Sequence, residues 1–321
     1  MDKFNQILPT ALVWKERGDL VAIATVIQTW GSSPRPVGSQ MIINNKGEIY
    51  GSVSGGCVEG AVIEEAIDCL NTGKSLSLNY NVTDQDAFAA KLTCGGSIKI
   101  LIQSIDTSFS SDALRTLVSK ISNNEAVGYI IDNNIVKNKI ILSDNDFSVE
   151  LLSKQSGFID EKFVVVYPLP LKMLIIGGVH IAQFLSEFAS ISGFAVSVID
   201  PRHAFATESR FPNIDIMNLW PDEALKLSEL NDRTAVITLS HDPKIDDLAL
   251  LSALNSSCFY IGCLGSNKTH QKRLERLKNK GCSKALLKRL HGPIGLPINA
   301  QTNAEIAVSI MGEIIKALRE I

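Results

Sequence analysis

The stretch Met173-Leu174-Ile175-Ile176-Gly177-Gly178-Val179-His180-Ile181-Ala182, running on to Asp200, decides the fold. Residues 173–176 read as a buried strand, the two glycines as a turn, 181–190 as a helix and 195–199 as a second strand that ends on Asp200. An acidic residue about twenty positions beyond the glycine turn completes the layout of a dinucleotide-binding βαβ unit. Gly177 makes the tight turn, and Ala182 is the small residue where helix meets strand. The middle position, normally glycine so that backbone can approach a pyrophosphate, is Val179, whose methyl groups obstruct that pose. The helix start still offers amides and the positive end of a dipole, so an anion fits this turn better than NAD in its usual pose. His180 reads equally as a locally bonded helix-start residue and as a ligand contact.

The same alternation continues with strands at 234–239 and 259–263 around a helix at 245–254, which implies a parallel sheet with crossover helices. A last helix opens on the capping box Thr302-Asn303-Ala304-Glu305 and carries Ile306, Ile310, Ile314 and Leu318 as its apolar stripe. Upstream the pattern differs. Apolar, β-branched runs at 20–29, 40–43, 48–53 and 98–103 predict a sheet, and the prolines and glycines of 30–39 force a shaped loop between the first two. Val58, Val62, Ile63, Ala66, Ile67 and Leu70 recur on one helix face. Between Ile105 and Pro168 the runs 127–131, 135–142 and 163–166 predict hairpin strands, and Pro168 and Pro170 bracket a linker. The predicted class is therefore α/β: an N-terminal α+β domain over 1–168 and a C-terminal Rossmann-like domain with a parallel sheet over 171–321.

Composition bounds the function. With 321 residues, two domains are expected, and 45% hydrophobic against 20% charged residues excludes a mainly disordered chain. A net charge of -3, from 31 basic and 34 acidic residues, is no footprint for nucleic acid. Apolar stretches are cut by Lys172, Gln183 and Glu187, so no membrane span is expected, and the first eighteen residues do not read as a signal peptide. Six scattered cysteines without a CxxC pair point to a reducing, cytoplasmic setting and give no support to a disulfide framework or a structural zinc site.

Ser54-Gly55-Gly56-Cys57-Val58-Glu59-Gly60 sets a thiol at a helix start, where amides and dipole favour the thiolate. Such a sulfur can ligate a transition metal, accept a sulfur atom as a persulfide or attack an electrophile; a small buried packing residue is the other reading. Cys94, beside Gly95-Gly96, would supply a dithiol if the two sites converge. Cys69, Cys258 and Cys282 read as structural, and Cys263 stays open. Gly265 and Ser266 end a strand ahead of a basic helix, among the strand-end loops where open α/β sheets bind ligands. Between Lys268 and His291 nine basic residues face only Glu275, which suits a solvated face or a dock for an acidic partner or phosphate. Ser240-His241-Asp242 is either a ligand-polarising pair or a turn with an Asp cap. No general base stands beside a nucleophile and no carboxylates are usefully paired, so a conventional hydrolase has no support.

These residues in this order resemble the xanthine dehydrogenase accessory proteins of XdhC/CoxI type. The likeness is carried by Gly31-Ser32-Ser33-Pro34-Arg35-Pro36-Val37-Gly38 with Met41, by Gly51-Ser52-Val53-Ser54-Gly55-Gly56-Cys57-Val58-Glu59 and by Cys94-Gly95-Gly96. Further on lie the Gly177 turn, Asp200-Pro201-Arg202, Ser240-His241-Asp242, Tyr260-Ile261-Gly262 with Leu264-Gly265-Ser266, Pro293-Ile294-Gly295-Leu296 and Glu305-Ile306-Ala307-Val308-Ser309-Ile310. It covers nearly the whole chain outside 105–168. Where the family commonly reads Gly-Ala-Gly-His-Val-Ala, this chain has Val179, which argues against a dinucleotide role.

The resemblance implies a dimeric accessory factor rather than a catalyst. Such a factor binds molybdenum cofactor (molybdopterin), protects it while a cysteine desulfurase supplies the terminal sulfido ligand, and delivers it to an apo-xanthine dehydrogenase-type molybdoenzyme. On that reading Cys57 touches the metal or its exchangeable ligand and Arg35 counters phosphate charge. Amides near Gly177 and Gly178 hold an anionic group, and Gly55, Gly56, Glu59, Cys94, His180, Asp200, Gly265 and Ser266 complete the cofactor-binding set. The alternative is an NAD(P)-dependent oxidoreductase, with Asp200 on the ribose hydroxyls and His180 or His241 moving a proton.

Overall fold

The computed structural model describes residues 6–31, 35–56, 58–80, 97–123, 125–132, 139–141, 155–159 and 162–320. The chain divides into two units, Lys3–Leu169 and Pro170–Ile321. In the first, helix α1 (Ile7–Glu16) leads into β1 (Val21–Trp30), β2 (Gln40–Asn44) and β3 (Ile49–Gly51). Helix α2 (Glu59–Thr72) follows, then β4 (Leu76–Tyr80), β5 (Ser97–Ser104) and helix α3 (Ser111–Ser122). The strands form one antiparallel sheet in the order β3-β2-β1-β5-β4.

β1 is buried without interruption from Val21 to Ile27 because both faces of the sheet are covered. Ala22, Ala24 and Val26 pack with Val62, Ala66 and Cys69 of α2, while Val21, Ile23 and Ile27 pack with Leu8 and Ala11 of α1 and Leu114 and Leu117 of α3. A strand buried twice shows no alternation of polar and apolar residues. Leu117 is wholly buried on the inner face of α3, and Leu117→Ala is expected to cost about 3 kcal/mol in urea unfolding. A loss under about 1 kcal/mol would mean that this helix face is not packed.

A second antiparallel sheet, in the order β7-β6-β9-β8, is built from β6 (Val127–Asp132), β7 (Lys139–Ile141), β8 (Gly157–Ile159) and β9 (Lys162–Tyr167). Strands are present at the predicted runs 127–131 and 163–166 and at 139–141 of the run 135–142, whose other residues lie outside the described residues, but the reading of 105–168 as strands overlooked α3, whose Leu114, Leu117, Val118 and Ile121 recur at helical spacing. Gln40 joins the two sheets. Its Nε2 donates to Thr25 Oγ1 at 3.1 Å and to the Tyr129 hydroxyl at 2.8 Å, and the Tyr167 hydroxyl donates to its Oε1. Burial, only partly offset by these bonds, pushes the Tyr129 hydroxyl up to about 12.

The second unit alternates strand and helix. It runs β10 (Leu171–Ile176), α4 (His180–Ile191), β11 (Phe194–Ile199), β12 (Asp215–Met217), α5 (Pro221–Leu227) and β13 (Thr234–Thr238). It continues α6 (Pro243–Leu254), β14 (Tyr260–Cys263), α7 (Asn267–Asn279), α8 (Lys284–Leu287), β15 (Leu290–His291) and α9 (Asn303–Arg319). The six strands are parallel in the order β12-β11-β10-β13-β14-β15, the Rossmann order, with its reversal between β10 and β13. Met173 and Ile175 face a layer holding Leu185, Ala189, Ile310 and Ile314 from α4 and α9. Leu174 and Ile176 face Ile245, Leu250 and Leu277 from α6 and α7 on the other side. The capping box at Thr302 and Glu305 forms as the sequence predicts. Among the described residues no helix is long and apolar enough to cross a membrane.

Candidate functional site

In the first unit the turn after β3 is organised by one carboxylate. Glu59, the first residue of α2, takes donors on both oxygens: Oε1 accepts from the Ser52 hydroxyl at 2.8 Å and from the amides of Ser54 and Gly55 at 2.9 Å each. Oε2 accepts from the Gly56 amide at 2.9 Å and from the Ser54 hydroxyl, whose oxygen in turn accepts the Val58 amide at 2.9 Å. Successive amides around Gly55 (φ 78) and Gly56 (φ 115) make the kind of concavity that binds anions, and here the chain's own carboxylate fills it. Burial works against the charge, yet the bonds from Ser54 and Ser52 outweigh it and bring Glu59 down to about 2.

The carboxylate of Glu59, a residue assigned to the cofactor-binding set, serves the turn in this structure. Gly55 and Gly56 are exposed, and a Cβ on Gly56 would meet nothing within 4 Å, so approach to this turn is open. Arg35 is half-buried in the loop ahead of β2. Cys57 and Cys94, with Gly95 and Gly96, lie outside the described residues. Cys69, Cys258, Cys263 and Cys282 are free and buried, and burial pushes the Cys263 thiol up to about 11.

In the second unit the glycine turn is likewise closed on itself. The Gly177 amide donates to Ile199 O at 2.8 Å, Gly178 to Asp200 Oδ2 at 2.9 Å and Val179 to Gly177 O at 2.9 Å. Asp200 has no exposed surface. Its Oδ1 accepts from the backbone amide and Nε of Arg202 at 2.9 Å each, and its Oδ2 from Nη2 at 2.8 Å. Burial opposes ionisation, but the Arg202 side chain and the two amides hold this carboxyl below its ordinary value.

Close approach explains both glycines. A Cβ on Gly177 would lie 2.7 Å from Ser240 N, and one on Gly178 would lie 2.5 Å from Phe205 O. The Asp200 carboxylate, assigned to ribose hydroxyls, is bonded within the unit, and the amides of Gly177 and Gly178, assigned to an anion, already have acceptors. Val179 is extended (φ -85, ψ 175) and packs against the core, which is why a branched residue is tolerated there. His180 is exposed as the first residue of α4.

The remaining strand ends are shaped by caps. Asp242 accepts the Lys244 amide at 2.9 Å at the start of α6, and Ser266 accepts the Thr269 amide at 3.2 Å at the start of α7. The Asp-cap reading of Ser240-His241-Asp242 is thus the one observed, with exposed His241 in a left-handed conformation (φ 62) between them. Ser240 Oγ donates to Asp246 Oδ1 at 2.6 Å, and burial raises Asp246. Arg273, 2% exposed, donates to Leu264 O at 2.7 Å, next to Gly265. The sequence reading missed Ser52 as a donor to Glu59 and Arg202 as the partner of Asp200. It also missed buried Asp246, although adjacent acids inside the apolar face of a helix are a legible sign of buried charge. Among the described residues no group of three or more His, Cys, Asp or Glu side chains could hold a metal ion.

A parallel sheet in Rossmann order and a separate unit carrying the Gly-Gly-Cys turn define the class. Residues 173–314 match the XdhC Rossmann domain and residues 14–81 match the XdhC and CoxI family, and the chain belongs to that family. It is 26% identical over 98% of its length to the molybdenum cofactor insertion chaperone PaoD of Escherichia coli K12, covering 88% of that protein. It is 27% identical to a probable xanthine dehydrogenase subunit of Bacillus subtilis 168, over 100% of this chain and 99% of the other. A crystal structure described as a xanthine dehydrogenase from Bacillus halodurans has the same fold, with a TM-score of 0.81 at 24% identity over 100% of this chain and 96% of that one.

Proposed function

We propose that this chain is a maturation factor for a xanthine dehydrogenase-type molybdoenzyme: it binds molybdenum cofactor, shields it while a cysteine desulfurase supplies the sulfido ligand, and inserts it into the apoenzyme. Full-length likeness to a protein named a molybdenum cofactor insertion chaperone supports this reading. The structural observation that carries it is the turn before Cys57, pinned by Glu59, with two exposed glycines and open space at Gly56. A bulky metal-bearing ligand needs that clearance, and a cysteine thiolate is a soft donor suited to molybdenum.

On this reading Cys57 holds the metal or its exchangeable ligand. The cofactor, when bound, brings the metal and a phosphate; the protein supplies binding, orientation and shelter. Arg35 counters phosphate charge. With the amides of Gly177 and Gly178 engaged, the first-turn amides at His180 and Ile181 are the positions in the second unit that would meet an anion. The working form is a homodimer in the cytoplasm.

The test is metal and pterin analysis of protein purified from cells that make the cofactor. The parent is expected to retain both, and Cys57→Ala to lose about tenfold in retained molybdenum, which corresponds to about 1.4 kcal/mol of binding, with an unchanged circular dichroism spectrum and Tm. A parent that carries neither molybdenum nor pterin would overturn the carrier role, and a Cys57→Ala variant as rich in molybdenum as the parent would overturn the ligand assignment.

A further inference from the structure

The segment from Lys268 to His291 contains nine of the chain's 31 basic residues and, in Glu275, one of its 34 acidic ones. The structure divides the nine by type. The three arginines turn inward: Arg273 reaches Leu264 O, Arg276 holds the Asp247 carboxylate through Nε and Nη2 at 2.8 and 2.9 Å, and Arg289 donates to the carbonyls of Leu254, Ser256 and Cys258. The lysines do the opposite. Lys268, Lys272, Lys278, Lys280, Lys284 and Lys288 are all exposed, and among the described residues the acid paired with any of them is Asp247, 3.8 Å from Lys280 and already taken by Arg276.

Like charges gathered on one surface repel each other and oppose folding. A merely solvated helix would mix signs and gain from acid–base pairs three or four residues apart. Here a single exposed acid, Glu275, stands among six exposed lysines, so the segment is strongly basic on a molecule of net charge -3.

Three classes of partner could answer such a face, and the residue types select one. Phosphate backbones are best gripped by the planar fork of arginine with aromatic residues to stack bases. The arginines here are engaged inside, and the segment contains no Phe, Tyr or Trp. A membrane surface calls for apolar side chains beside the basic ones, and none of the exposed large hydrophobic residues falls in this segment. An acidic protein surface asks only for mobile point charges with long reach, as lysine provides.

We propose that the lysine face of α7 and α8 docks an acidic patch on the apoenzyme that receives the cofactor, accelerating encounter and setting orientation. The identity of that partner rests on the maturation role proposed above; the sign and chemistry of the surface do not.

The test uses the full chain and the purified apoenzyme, with Lys272→Glu, Lys278→Glu, Lys284→Glu and Lys288→Glu combined. These side chains are exposed and have no ion-pair partner among the described residues, so circular dichroism, Tm and retained molybdenum are expected to match the parent. Association with the apoenzyme at low ionic strength is expected to slow at least about tenfold. The parent's rate should fall steeply with added salt and meet that of the variant near about 1 M, where charges are screened within about 3 Å.

Equal association rates for parent and variant at low salt overturn the proposal while leaving cofactor retention, measured separately, to judge the carrier role. A parent that binds phosphatidylserine vesicles or duplex DNA through these lysines more tightly than the apoenzyme also overturns it. A lysine-dependent association by a parent that holds no cofactor supports the docking face and removes the carrier reading.

Discussion

Glu59→Ala is expected to free the 52–58 turn and to cost the N-terminal unit about 3 kcal/mol, the range for deleting a carboxylate on which several hydrogen bonds converge. Five donors close on this one group, and without it the Gly56 amide is left to water and the Gly55 amide keeps the Ser52 hydroxyl, at 3.0 Å, as its acceptor. Hydrogen exchange at Ser54, Gly55, Gly56 and Val58 should speed while exchange in β1 and β5 stays slow. Glu59→Gln separates charge from shape. The carboxyl sits at about 2 in the folded protein against its ordinary 4.5. Its charge therefore stabilises the fold above pH 4.5 and is lost as the pH falls toward 2. After allowance for partial exposure this is worth about 2 kcal/mol at neutral pH. In denaturant titrations the parent should exceed Glu59→Gln by that margin at neutral pH and converge with it in acid. Parallel stability curves across that window would show that the negative charge does not hold the turn.

The same turn shows how far the amino-acid sequence can be read. The strand, turn and helix around Gly55-Gly56 were legible because glycine pairs and helical spacing of Val62, Ala66 and Leu70 are local signals. That the anion facing the amides is Glu59 itself was not, since Ser52, Ser54 and Glu59 meet only once both glycines adopt left-handed backbone. The parallel sheet was legible from its alternation, whereas β12, β15 and α5 were not, because elements of two to seven residues carry too little periodicity. α3 was missed for another reason: Ser, Asn and Asp around it suggested turns, although Leu114, Leu117 and Ile121 lie on one face. Val179 shows a motif misleading by its letters. Its side chain belongs to the core, and the crowding at this turn comes from the backbone of Ser240 and Phe205.

Asp200→Ala is expected to have the largest effect in the C-terminal unit, about 4 kcal/mol, because it leaves the Arg202 guanidinium without its partner at the edge of the core. The carboxylate has no exposed surface and joins three things that otherwise meet only loosely: the Gly178 amide, the Arg202 amide and the Arg202 side chain. Arg202 also lies 3.8 Å above the centre of the Phe205 ring, and the Phe205 carbonyl covers Gly178. Losing one carboxylate should therefore loosen the whole 177–206 corner. Arg202→Leu alone should cost less, since the Gly178 and Arg202 amides still serve the Asp200 charge. The double variant Asp200→Ala, Arg202→Leu should be more stable than the sum of the single losses by about 1 kcal/mol, the coupling of an ion pair whose carboxylate is buried and whose guanidinium is partly exposed. Because the carboxyl lies below its ordinary 3.8 when folded, that coupling should hold at neutral pH and fade in acid once Asp200 is protonated. Additive losses in the cycle would mean that Asp200 and Arg202 act independently, and the carboxylate would then be free to meet a ligand at the strand end.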